Sequence, residues 1–209
     1  MDMICENNFI KLCGVMAGAP VYSHSGRGIR FYSFPLEIQR LSGNTDTVNI
    51  VLRAEQLARL EAAETEKICI CGQLRTFNNR KTEGAKLVIT VLAKEIYLCD
   101  EPDENLVCLS GTLCKEPNLR VTPLGRDICD LMLAVNRRYG RSDYLPCICW
   151  GLKAQEAALW TVGTSIRLEG RLQSRRYIKV TDSGPVERTA FEVSVTQAEE
   201  LIPAESGLL

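Results

Sequence analysis

Ile10 and Leu12 stand two residues apart near the start of the chain, and Val107 and Leu109 repeat the pattern 97 residues on. An apolar period of two belongs to a strand with one buried face. Cys69 and Cys71, like Cys147 and Cys149, alternate with isoleucine, so each pair points to one face as small buried hydrophobes. Two stretches instead carry helix formers: Ala54-Glu55-Gln56-Leu57-Ala58-Arg59-Leu60, and Leu152-Lys153-Ala154-Gln155-Glu156-Ala157-Ala158-Leu159, which Gly163 ends. Each half therefore reads as three strands, a helix and two more strands.

The halves are copies of one unit. Asn8 to Gly14 is echoed by Asn105 to Gly111, Pro20 by Pro117, Gly26-Arg27-Gly28-Ile29 by Gly125-Arg126-Asp127-Ile128, and Cys71-Gly72-Gln73-Leu74-Arg75 by Glu169-Gly170-Arg171-Leu172-Gln173. The spacing stays near 97–99 residues, too long for a solenoid repeat and the right length for a whole domain. The acidic, proline-containing stretch Cys99-Asp100-Glu101-Pro102-Asp103-Glu104 reads as the linker. The expected domains are 1–98, a divergent first copy, and 105–198, with 99–104 between them and a short tail at 199–209. Five strands and one short helix in about 100 residues fit a closed barrel better than a sandwich. The fold class is all-β: two tandem five-stranded OB-fold barrels with one short helix per domain.

Composition narrows the function. Over 209 residues the chain is 45% hydrophobic and 24% charged, ordinary values for a folded globular protein. No run nears the roughly 18 apolar residues of a membrane span, and MDMICENN lacks a secretory signal pattern, so the expected place is the cytoplasm. The ten cysteines contain no CxxC and His24 is the lone histidine, which leaves no zinc framework; reduced core cysteines, no metal and no cofactor are expected. The net charge of −1 hides an uneven distribution. Residues 1–104 carry 12 Lys and Arg against 14 Asp and Glu, whereas 105–198 carry 13 against 9.

In that second, basic segment, Leu109-Ser110-Gly111-Thr112-Leu113 with Pro117, Thr122-Pro123-Leu124-Gly125, Leu133 to Tyr139, Cys149-Trp150-Gly151 and Leu168 to Tyr177 together resemble the bacterial single-stranded DNA-binding protein family. The resemblance covers 105–196; the first copy matches in outline, through Leu12-Cys13-Gly14, Pro20 and Gly72-Gln73-Leu74-Arg75. It implies that Tyr139, Tyr144, Trp150 and Tyr177 occupy base-stacking positions. The residues argue the same independently, because holding a single strand takes cations for phosphates and flat rings for exposed bases. Arg137, Arg138 and Arg141 flank Tyr139, and Arg175, Arg176 and Lys179 flank Tyr177, in two inter-strand loops. Strand parity puts Tyr144 and Trp150 on one face, with Leu145, Cys147 and Cys149 opposite. Pro146 falls on the ring face, where its missing donor implies an edge or a bulge. Trp160 reads as core.

The first copy has Leu52-Arg53 where the second has Trp150-Gly151, and its candidates reduce to Tyr22, Phe77, Arg80 and Lys81. Phe31, Tyr32 and Phe34 lie in an apolar strand and read as core. The expected function is non-catalytic, largely sequence-independent binding of single-stranded DNA in replication, recombination or repair. Family resemblance implies a homodimer displaying four OB folds, with replication or repair proteins as further partners. The faintly acidic end, Glu199, Glu200 and Glu205, lacks the aromatic tip through which family members recruit such proteins. A competing class is an OB scaffold for protein interaction in a replication or mobile-element complex. An enzyme is not expected, since no P-loop, nucleophile elbow or metal-ligand cluster stands in the sequence.

Overall fold

The computed structural model describes residues 7–61, 67–79, 87–181 and 184–202. It divides into two compact units, one of Asn8–Val107 with Arg171–Glu192, the other of Cys108–Gly170 with residues 7 and 193–202.

The first barrel comprises β1 (Asn8–Met16), β2 (Val21–Gly26), β3 (Ile29–Gln39), β4 (Thr45–Arg53), α1 (Ala58–Glu61), β5 (Ile68–Asn78) and β6 (Leu87–Leu98). Its strands run in the order β3-β4-β6-β5-β1, and β1 turns back to meet β3 at Val15–Glu37 and Met16–Leu36. β4 and β6 form a parallel pair at Ile50–Val91. The alternating residues Ile10, Leu12, Leu36, Ile50, Leu52, Ile70 and Leu74 are fully buried, as the period of two demands.

The second barrel repeats this with β7 (Glu104–Leu113), β8 (Asn118–Val121), β9 (Asp127–Asn136), β10 (Ser142–Trp150), α2 (Leu152–Ala157), β11 (Ser165–Thr181) and β12 (Gly184–Glu200). The order is β7-β11-β12-β10-β9, with β7 returning to β9 at Thr112–Ala134 and Leu113–Leu133, and β10 parallel to β12 at Cys147–Val193. Both barrels are OB folds, five strands closed on themselves so that the barrel strands leave no edge.

Closure explains the repeated glycines. A Cβ on Gly14 would lie 2.1 Å from the Glu37 carbonyl oxygen, and one on Gly111 would lie 2.5 Å from that of Ala134. Each glycine marks where the first strand of its barrel meets the next barrel strand, β1 against β3 and β7 against β9, and only a residue without a side chain admits that approach.

Several expectations change. Each half has a strand more than expected before its helix: β2 and β8 pair outside the barrel with β3 and β9, and their side chains are exposed nearly throughout, so they leave no alternation to read. The second helix ends at Ala157, not at Gly163, which lies in the following turn. Pro146 produces no bulge: the β9–β10 register runs unbroken, and Pro146 stands just before the short stretch where β12 pairs. Trp160 is half-buried. Cys13 and Cys69 are joined by a disulfide, not reduced, because β1–β5 register sets these two fully buried residues directly opposite each other.

Candidate nucleic-acid interface

On β10, Tyr144 and Trp150 are 51% and 38% exposed, whereas Leu145, Cys147 and Cys149 face the core. Ile148 shares the ring face but is buried where β12 pairs beside it, so the two rings are separate platforms rather than a continuous stripe. Trp150 donates its indole N–H to Ser194 Oγ at 3.2 Å, which fixes the ring while leaving its surface accessible. Burial pushes the neighbouring Cys149 thiol up to about 12, so it stays protonated core material.

The β9–β10 turn presents the next group. Tyr139 and Gly140 both have positive φ, 69° and 70°, and the Arg137 N–H donates to the Arg141 carbonyl at 2.6 Å. Successive left-handed residues match the twist of a tight hairpin, but a tyrosine there is unusual. The turn lifts Tyr139 to 90% exposure at its tip. Arg138 and Arg141 are also exposed, and among the described residues they pair with no carboxylate. Arg137 differs: its guanidinium grips the fully buried Asp143 carboxylate through two nitrogens, with Nε to Oδ2 at 2.6 Å. Arg137 thus anchors the loop that carries Tyr139.

The β11–β12 hairpin carries Arg175, Arg176 and Tyr177. Arg175 lies 6.0 Å from the centre of the Tyr177 ring and 3.7 Å from Glu192, and Arg176 is exposed. Tyr177 is half-buried; Lys179 lies in β11, with its side chain outside the described residues. The outer part of this hairpin is held to the first barrel through Asp46 of β4. Ser174 donates both its N–H and its hydroxyl to Asp46 Oδ1, each at 2.8 Å, and Arg40 forks onto the same carboxylate. Burial alone would push the Asp46 carboxyl up, but the hydrogen bonds from Arg40 and Ser174 together hold it below the usual carboxylate range. Arg40–Asp46 repeats Arg137–Asp143 at a spacing of 97 residues, a correspondence the sequence comparison missed.

In the first barrel Tyr22 and Phe77 are 57% and 53% exposed, while Arg80 and Lys81 lie outside the described residues. Tyr22 belongs to a ring cluster on β2 and β3 that its sequence position does not show. His24 stacks on Phe31 at 4.8 Å, and Tyr22 meets Tyr32 edge-on at 6.0 Å. Phe31 and Tyr32 are half-buried rather than core; Phe34 alone is buried. The signal was the Gly26-Arg27-Gly28 turn, which folds β2 onto β3 and pairs His24 with Phe31. Matching the parallel pairs Ile50–Val91 and Cys147–Val193 also shifts the correspondence by one residue: Trp150 stands where the first copy has Arg53, not Leu52.

Two five-stranded β-barrels in one chain define a tandem OB-fold protein, whose second barrel exposes rings beside arginines that pair with no carboxylate among the described residues. Residues 104–201 match the model of the single-strand binding protein family. Single-stranded DNA-binding protein B of Bacillus subtilis is 36% identical over 80 residues, which span 35% of this chain and 71% of that one. Single-stranded DNA-binding protein 2 of Listeria innocua is also 36% identical over 80 residues, and the match spans half of its length, 50%. The wild-type single-stranded DNA binding protein from Thermus aquaticus, a solved structure, shares the fold over 96% of both chains, with TM-score 0.76 and 23% identity. The chain belongs to the bacterial single-stranded DNA-binding protein family.

Proposed function

We propose that this protein is a non-catalytic binder that coats single-stranded DNA in the cytoplasm with little sequence preference, in support of replication, recombination or repair. The observation that carries the reading is the second barrel's exposed set: Tyr139, Tyr144 and Trp150 open to solvent beside Arg138 and Arg141, which pair with no carboxylate among the described residues. Rings stack on any base, and arginine forks grip phosphate or stack in turn, so this combination binds a strand without reading it. Arg175, Arg176 and Tyr177 supply the same chemistry from the hairpin, and Arg137 positions the Tyr139 loop rather than contacting phosphate. Tyr22 and Phe77 give the first barrel a lesser share. Two copies pair as a homodimer with four OB folds, and other replication or repair proteins dock on the coated strand.

The test is a titration of the full chain with oligo-dT at several salt concentrations. Each neutralised phosphate of a single strand releases about 0.7 counterion, so affinity should fall steeply and log-linearly with salt. Affinity that does not change with salt, or equal preference for duplex, would refute the reading.

A further inference from the structure

The linker expected at 99–104 is pinned to the first barrel. Lys11 of β1 pairs with Glu104 at 2.6 Å and Glu101 at 3.3 Å, Lys67 pairs with Asp103 at 2.7 Å, and the Cys99 N–H donates to the Lys67 carbonyl at 3.0 Å. This brings Cys99 to the Cys13–Cys69 pair, so that the three sulfurs lie within 4.8 Å of one another; Cys13 Sγ and the Glu101 and Glu104 carboxylates also lie within 4.8 Å of one another. Cys13 Sγ is 3.8 Å from Glu104 Oε2. Four-coordinate zinc with bonds of roughly 2.3 Å to sulfur sets its ligand sulfurs about 3.8 Å apart, which Cys13 and Cys69 reach by moving apart once the bond between them is reduced.

We propose that, once the Cys13–Cys69 disulfide is reduced, the first barrel binds one Zn2+ through Cys13, Cys69, Cys99 and the Glu104 carboxylate. Reduction by an external dithiol breaks the S–S bond, transfers two electrons and two protons to the cysteines, and leaves the dithiol as its own disulfide. Zn2+ then displaces one proton from each of the three thiols and takes an oxygen of the already ionised Glu104. Three thiolates and a carboxylate outweigh the metal's charge by two, and the Lys11 ammonium, 2.6 Å from Glu104, stands beside the site to offset part of that excess. No CxxC appears because the three cysteine ligands come from different segments, β1, β5 and the chain after β6, and Glu104 from the start of β7. The metal and the disulfide exclude each other, and the metal fastens both ends of the linker to β1 and β5.

The full chain, reduced with a dithiol and freed of it under anaerobic conditions, is titrated with Co2+ as a spectroscopic stand-in for zinc. The expected result is one equivalent bound with intense thiolate-to-cobalt charge transfer in the near ultraviolet and tetrahedral bands in the visible, both bleached by Zn2+. Cys99→Ser should weaken binding by more than the roughly 10–100-fold that loss of an outer-shell partner costs, while Cys71→Ser should leave the spectrum intact. Circular dichroism confirms that both variants fold. Reduced protein without a charge-transfer band, or a spectrum indifferent to Cys99→Ser, overturns the proposal. The titration contains no DNA, so its result is separate from that of the oligo-dT experiment.

Discussion

Trp150 combines a ring open to solvent with an indole N–H already spent on Ser194, which leaves stacking as the chemistry it can offer. Trp150→Ala should therefore weaken oligo-dT binding by about 1–3 kcal/mol, the usual worth of a base on a ring. Its melting temperature, measured alongside, should change little; a large drop with unaltered affinity would assign the ring to the core. Gly111 gives the opposite case, a residue whose effect is on the fold. A methyl 2.5 Å from the Ala134 carbonyl must force β7 from β9, so Gly111→Ala should cost on the order of 1–3 kcal/mol in thermal unfolding. Asp46 adds a pH dependence. Its carboxyl is held below its unfolded value, so its stabilising contribution is fully present above about pH 4 and is lost as pH falls through the folded value. Urea unfolding followed from pH 5 or so downward should show wild type losing stability faster than Asp46→Asn, which lacks that titration; parallel curves would contradict the account.

At the level of elements, the β11–β12 hairpin tests how charge is distributed. Arg176 is exposed and unpaired among the described residues, whereas Arg175 already faces Glu192 and lies over Tyr177. Arg176→Ala should lower the salt slope of binding by about 0.7, the share of one phosphate, and Arg175→Ala by less because Glu192 offsets part of its charge. Equal slopes for both variants and wild type would remove the hairpin from the phosphate contacts. What the sequence made legible follows from the same physics. Barrel strands showed themselves because each has a buried face, as Ile10, Leu12, Leu145 and Cys149 do. β2 and β8 stayed hidden because neither has one, and with β2 went the stacking of His24 on Phe31. Tyr144 and Trp150 were found through parity within one strand. The Arg137–Asp143 clasp and the Cys13–Cys69 bond depend on which residues of different strands stand opposite, and alternation along a single strand does not encode that.

For the whole molecule the open question is how many OB folds act together. β2 and β8 each pair on one side alone among the described residues, and they present Val21 at 62%, Leu119 at 47% and Val121 at 63% exposure. An unpaired edge strand with apolar side chains is a template for pairing with another chain, and two-fold closure is the commonest way soluble proteins satisfy it. A homodimer would cover such an edge and display four barrels. Light scattering on the DNA-free protein should give a mass near twice the 23.3 kDa of the chain. If β8 forms the contact, a lysine at its most exposed apolar position, Val121→Lys, should shift the mass toward one chain with little change in the melting temperature of the barrel, since the side chain lies outside the barrel core and is 63% exposed. Val21→Lys makes the same test of β2. A mass of one chain at every concentration sinks the dimer, and the four-barrel count with it.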